Sequence, residues 1–186
     1  FATEGKIYRY GSIRMPVNIW GPWHAPENKS EGTLADVQRS VQLMLTPKVV
    51  LDILQNFTIF STDKKHRRIK IICRYQQFEG ANMIVDRVVA GYPKKGLLWH
   101  FQGSGKSLLM VFAAQKLRMN PKLKNPTVMI VVDRVDLDTQ ITATFSAADI
   151  PNMIGASTRQ ELQTFLAQDT RKIIITTIHK FGEAQG

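Results

Sequence analysis

Hydrophobic residues recur along this chain in two regimes. Over residues 33–45, Leu34, Val37, Val41 and Leu45 fall one helical turn apart, with Thr33 placed to cap the helix. Pro47 suits the first turn of a second helix over 47–56, with Val50, Leu51 and Leu54 inward. The run FTIFS at 57–61 predicts a short strand. Helical spacing resumes over 71–90 through Ile72, Tyr75, Met83, Val85, Val88 and Val89, and Gly91-Tyr92-Pro93 stops it. From residue 97 the pattern changes to strict alternation. Strands are predicted at 97–101, 127–133 (TVMIVVD) and 172–177 (KIIITT), with a short edge strand near Met153-Ile154. Helices are predicted at 107–118, 137–145, 158–167 and from about Ile178. Strands apolar on both faces that alternate with helices imply a parallel sheet with right-handed crossovers. The fold class is therefore α/β.

Residues 1–30 carry no such periodicity. Ile7, Tyr8, Tyr10, Ile13 and Met15 suit a hairpin around Gly11-Ser12. The stretch 16–26, with Trp20, Gly21, Pro22 and Trp23, is too proline-rich for a central strand or a helix. Its tryptophans are expected to pack against a neighbouring domain. Six basic residues crowd 64–70 (Lys64, Lys65, His66, Arg67, Arg68, Lys70), which fits either a solvated linker or a segment that contacts phosphates.

Composition narrows the class only modestly. The 186 residues are 44% hydrophobic and 22% charged, ordinary values for a globular protein with a buried core. No apolar run is long enough to cross a bilayer, so no membrane partner is expected. The chain opens on Phe1 rather than Met and reads as a piece of something longer. A lone cysteine, Cys73, lies in an apolar run and reads as core; one thiol suits a reducing cytoplasm. No His/Cys cluster has metal-ligand spacing. The net charge of +10 points toward a polyanionic partner.

The chemistry concentrates in LLWHFQGSGKSL, residues 97–108. An apolar run leads into a turn where Gly103 and Gly105 let the backbone fold tightly, so that successive N–H groups share one concavity. Ser104 lies between the two glycines. Lys106 adds a mobile cation, the Ser107 hydroxyl suits a Mg2+ ligand, and the following helix aims its positive end at the same spot. These are the mechanics of a P-loop, although the full G-x-x-x-x-G-K-[ST] pattern would start with a glycine where His100 stands. Two further stretches sit at strand ends, where ligands of open α/β sheets collect. Asp133 closes the strand at 127–133, either as a magnesium-side carboxylate or as neighbour to a phosphate contact at Arg134. Thr176 and Thr177 end the last strand, His179 and Lys180 follow it, and the group suits an oligonucleotide backbone or a helix cap.

The ordered set RYQQ, LLWHFQGSGKSL, VVDRVDLDTQ and IIITTIHKF resembles the start of a superfamily 2 helicase-type motor. Nearest in pattern is the motor (R) subunit of type I restriction-modification enzymes, a resemblance that extends over YRYGSIRMPVNIWGPW and thus over nearly the whole chain. It implies a three-layer, RecA-like P-loop fold, a parallel sheet with helices on both faces. Residues 1–62 would be a linker segment preceding the motor, and 63–186 the first RecA-like lobe, truncated before the Walker B box. By the same resemblance Gly103, Ser104, Gly105, Lys106 and Ser107 would hold ATP and Mg2+, Lys106 and Ser107 taking part in catalysis. Gln77, or Gln76, would read adenine. Arg134, Thr176, Thr177, His179 and Lys180 would face double-stranded DNA. Methyltransferase (M) and specificity (S) subunits would be partners. A nuclease domain and a second RecA-like lobe of the same polypeptide are expected outside this sequence, which has no Asp-Glu-x-His box. Such a piece is expected to be inactive alone. The competing classes are a small P-loop kinase or GTPase with Asp133 on magnesium, and a non-catalytic nucleic-acid-binding module.

Overall fold

The computed structural model describes residues 1–24, 32–62, 67–133 and 152–182. The chain divides into two compact units, Phe1–Gly80 and Ala81–Gly186.

In the first unit, β1 (Ala2–Thr3), β2 (Tyr8–Tyr10) and β3 (Gly21–Pro22) form an antiparallel sheet in that order. The hairpin closes between β1 and β2, with Gly5 at φ 90°, and not at Gly11-Ser12 as expected. Gly11 is instead pressed against the Trp20 ring, where a Cβ would collide. Pro22 occupies an edge strand, where its missing N–H breaks no internal ladder. Trp23 needs no other domain to cover it. It is buried here with ring centroids 5.4 Å from Tyr10, 5.5 Å from Tyr75 and 5.1 Å from Phe78.

Helix α1 (Leu34–Met44) starts from a capping box, in which the Asp36 N–H donates to Thr33 Oγ1 and the Thr33 N–H to Asp36 Oδ2. Helix α2 (Pro47–Asn56) has Pro47 in its first turn. The inward faces differ from expectation. Val37 and Ser40 are buried on α1 and Ile53 on α2, while Leu34, Leu51 and Leu54 are exposed. Periodicity marks an apolar side on each helix, but how much of that side is covered depends on the elements packed against it. β4 (Thr58–Thr62) pairs antiparallel with β5 (Arg68–Ile72), from Thr58↔Ile72 to Thr62↔Arg68. Ile71 and Ile72 thus belong to a strand, and helix α3 begins later, at Tyr75–Ala90. A partner strand in β4 outweighed their helical spacing. Cys73 is fully buried; its N–H donates to Phe57 O (3.0 Å) and its carbonyl accepts the Tyr10 hydroxyl (2.7 Å). Burial pushes both the Cys73 thiol and the Tyr10 hydroxyl well above their usual ranges, so Cys73 is packing and not a nucleophile.

In the second unit, α4 (Lys106–Met119) is followed by β6 (Val128–Val132), β7 (Met153–Gly155), α5 (Arg159–Ala167), β8 (Ile173–Thr177) and α6 (His179–Gly182). The sheet order is β6-β8-β7, all parallel. β8 is central, and each of its five residues is buried, which explains why KIIITT lacks polar alternation. Leu162 of α5 packs with Ala156 and Ile174 in a cluster joined by Met129, Ile154 and Phe165. Thr158 and Glu161 form a second capping box. The expected strand at 97–101 is not formed. Leu97, Trp99 and Phe101 are 89%, 88% and 67% exposed, because a run becomes a strand only when another takes up its backbone groups, and no described strand does. The helix expected at 137–145 lies outside the described residues. Among the described residues, no helix is long and apolar enough to cross a membrane.

Candidate nucleotide-phosphate site

The turn between residues 101 and 107 is built by two glycines in the left-handed region, Gly103 at φ 81° and Gly105 at φ 82°. Only glycine enters that region freely, so the GSG spacing is what the backbone needs here. The Ser104 N–H donates to Phe101 O at 3.3 Å and closes the bend. Helix α4 then opens with Gly105 as N-cap, no side-chain cap and no acidic residue in its first turn. Its first intrahelical bond runs from the Leu109 N–H to Gly105 O at 3.1 Å. The amides of Lys106, Ser107 and Leu108 precede that ladder, where helix N-termini carry positive potential and donors in want of an acceptor.

Three observations favour an anion in this turn. Ser104 is 4% exposed, and its Oγ has no hydrogen-bond partner among the described residues. A Cβ at Gly103 would meet nothing within 4 Å, so there is open space beside the turn. Lys106 is exposed, and its Nζ donates to the carbonyls of His100 (3.2 Å) and Phe101 (3.1 Å). These are weak, solvent-facing bonds that an arriving phosphate can replace. Sequence reasoning missed those two carbonyls, since a main-chain oxygen leaves no mark in a sequence. The donor set fits a polyphosphate with its metal: backbone N–H groups, one mobile cation, and the hydroxyl of half-buried Ser107, an oxygen of the kind that magnesium prefers.

The other predicted residues are placed as follows. Gln77 lies in the first unit, 2% exposed, with its Oε1 accepting the Arg74 N–H at 2.8 Å, so it caps the start of α3. Gln76 beside it is exposed. Thr176 and Thr177, at the end of β8, are 0% and 3% exposed, and Thr176 Oγ1 has no partner among the described residues. His179 is exposed, and Lys180 Nζ donates to the carbonyls of Ala156 and Ser157, fixing α6 to the start of α5. The ends of β6 and β8 lie side by side, Val132 opposite Thr177, and Asp133 is exposed just past them. Arg134 lies outside the described residues. Among the described residues, no three His, Cys, Asp or Glu side chains gather as a metal site.

This α/β unit with a three-stranded parallel sheet thus carries a glycine turn at the N-terminus of α4, a place where helix amides can receive an anion. The chain belongs to the SWI2/SNF2 ATPase family, which matches residues 76–186. It is also similar to the type I restriction enzyme HindI endonuclease subunit of Haemophilus influenzae, at 34% identity over 97% of this chain and 18% of that protein. A Methanocaldococcus jannaschii protein provisionally named as the type I restriction enzyme MjaIXP endonuclease subunit is 32% identical over 97% of this chain and 19% of its own length. The type I restriction enzyme SsaAORF53P endonuclease subunit of Staphylococcus saprophyticus is 26% identical over 98% of this chain and 18% of its own length. The chain thus spans under one fifth of the length of these relatives. The resemblance to the R subunit of type I restriction enzymes, drawn above from the motifs alone, holds across the whole chain.

Proposed function

We propose that this chain is the ATP-binding lobe, with its preceding linker, of an ATP-dependent double-stranded DNA translocase within a type I restriction endonuclease. The observation that carries the reading is the cradle: two left-handed glycines, the N-terminal amides of α4 that precede its ladder, and a buried Ser104 hydroxyl with no partner among the described residues. The family match and the endonuclease-subunit relatives support it. The loop 103–107 wraps the triphosphate, and Lys106 leaves the carbonyls of His100 and Phe101 to neutralise the outer phosphates. Ser107 offers its hydroxyl to Mg2+, which when bound supplies charge neutralisation on the phosphates.

Gln76 is the freer of the two glutamines to meet adenine, since Gln77 Oε1 already serves the Arg74 amide. The groups proposed for DNA stand at the ends of β6 and β8: Arg134, Thr176, Thr177, His179 and Lys180. With both threonine hydroxyls buried, Lys180 and His179 carry the exposed part of that contact. The partners of the whole enzyme are the methyltransferase and specificity subunits, the nuclease domain and the second RecA-like lobe. Alone, the chain binds nucleotide without turnover, because it contains no Asp-Glu-x-His box to position water and metal. The kinase or GTPase alternative draws no support from the family match.

Equilibrium titration with a fluorescent ATP analogue, with and without magnesium, tests the reading. Wild type should bind and Lys106→Ala should bind at least about tenfold more weakly, the loss of one charge-assisted contact. Equal affinities would overturn the cradle, and hydrolysis by the isolated chain would overturn the division of labour.

A further inference from the structure

The basic run singled out in the sequence reaches into a strand at its described end. That strand is β5, and together with the turn after β2 it walls a groove of about 260 Å³ in the first unit. Arg14 enters from the turn; Arg67, Arg68 and Lys70 enter from the β5 side, and none of the described residues lining the groove is acidic. Ile13 and Ile19 line it too and are 77% and 58% exposed.

Two details argue for a built site. Arg14 is the third residue of the turn closed by the Met15 N–H to Ser12 O (3.2 Å), and sits at φ 67°, a position that favours glycine or asparagine. An arginine held there is strained backbone spent on presenting a cation. The Arg68 guanidinium is steadied over the Phe60 ring, 4.8 Å from its centroid. Arg68 and Lys70 share a face of β5, about 7 Å apart along the strand. That matches the step between adjacent phosphates of one nucleic-acid strand, a regularity that an acidic protein surface lacks. Exposed aliphatic groups between the cations suit the sugar carbons.

We propose that this groove binds the phosphate backbone of duplex DNA, independently of base sequence and of the nucleotide cradle. The contact goes beyond the ATP reading and rests on none of its steps. Guanidinium forks engage phosphate oxygens in pairs, and Lys70 adds a point charge.

The test uses the whole chain, a fluorescein-labelled duplex of about 20 base pairs of arbitrary sequence, and salt from about 50 to 200 mM. Arg14→Gln/Arg68→Gln/Lys70→Gln should lower the slope of log K against log salt by about 2 to 3. Its ATP binding should be unchanged, whereas Lys106→Ala should lose ATP and keep the DNA slope. A control, Lys94→Gln/Lys95→Gln/Lys122→Gln, removes equal charge elsewhere and should lower the slope less. Arg14→Gly, which relieves the turn, should still melt cooperatively and bind DNA more weakly. On the wild type, DNA should protect Lys70 from acetylation more than Lys122 or Lys124. Equal losses in both triple variants, an unprotected Lys70, or displacement of DNA by stoichiometric polyglutamate, the mark of an acidic protein partner, would each overturn the proposal.

Discussion

The Ser104 hydroxyl makes a demanding test because its removal should move stability and binding in opposite directions. Ser104 is 4% exposed and its Oγ reaches no partner among the described residues. A buried polar group left unbonded costs about 1–3 kcal/mol, and Ser104→Ala removes the group while leaving its carbon in place. The nucleotide-free chain should therefore gain roughly 1 kcal/mol, the lower end being apt for a group at the edge of a loop. For a unit of this size that raises the melting temperature by roughly 2–8 °C. With ATP the sign reverses. A hydrogen bond to a charged group contributes about 1.5–3 kcal/mol, so the variant should bind about 10- to 150-fold more weakly. Differential scanning calorimetry and titration with a fluorescent ATP analogue read the two halves. A lower melting temperature would mean that the hydroxyl has a partner in the folded chain. Unchanged affinity would mean that it does not face phosphate.

Three further expectations follow from the same geometry. Gly103→Ala meets no steric obstacle, so only the left-handed conformation is penalised, by roughly 1–2 kcal/mol; the nucleotide-free loop escapes that strain by leaving the conformation, so ATP affinity should fall about 5- to 30-fold with little change in melting, whereas a lower melting temperature with unchanged affinity would show that the loop keeps it. Leu162→Ala in the cluster under α5 should cost about 2–5 kcal/mol by urea unfolding, and a loss below half of one would show the cluster to be loosely packed. The Thr33 backbone amide, and then its hydroxyl, hold the Asp36 carboxyl below the usual aspartate range. Its folded value being the lower, that stabilisation is present at neutral pH and fades as pH falls below roughly 4 toward the lowered value. Acid unfolding of wild type and Asp36→Asn should therefore converge at the acid end, and a constant difference at every pH would exclude the linkage.

Much of the molecule was legible from local pattern. Thr33 announced a helix start, Pro47 sat where its ring is tolerated, and TVMIVVD and KIIITT announced parallel strands, the second of them wholly buried. GSGKS announced its turn because glycine takes a positive φ without the strain that other residues bear there. Where the reading failed, a partner distant in sequence made the decision. Ile71 and Ile72 went to β5 because β4 lies alongside, and 97–101 stayed outside any strand because none of the described strands does. Trp23 found its cover in Tyr75 and Phe78, some fifty residues on.

By itself, then, the sequence determined the alternation of elements, the glycine turn with its lysine and serine, and the excess of positive charge, all properties of residues within a few positions of one another. Tertiary structure alone decided which helix faces turn inward, that Ser104 and Thr176 are buried with no hydroxyl partner among the described residues, and that Arg14 joins Arg68 and Lys70 around one groove. Burial and convergence depend on chain segments far apart meeting in space, and no local spacing encodes that meeting.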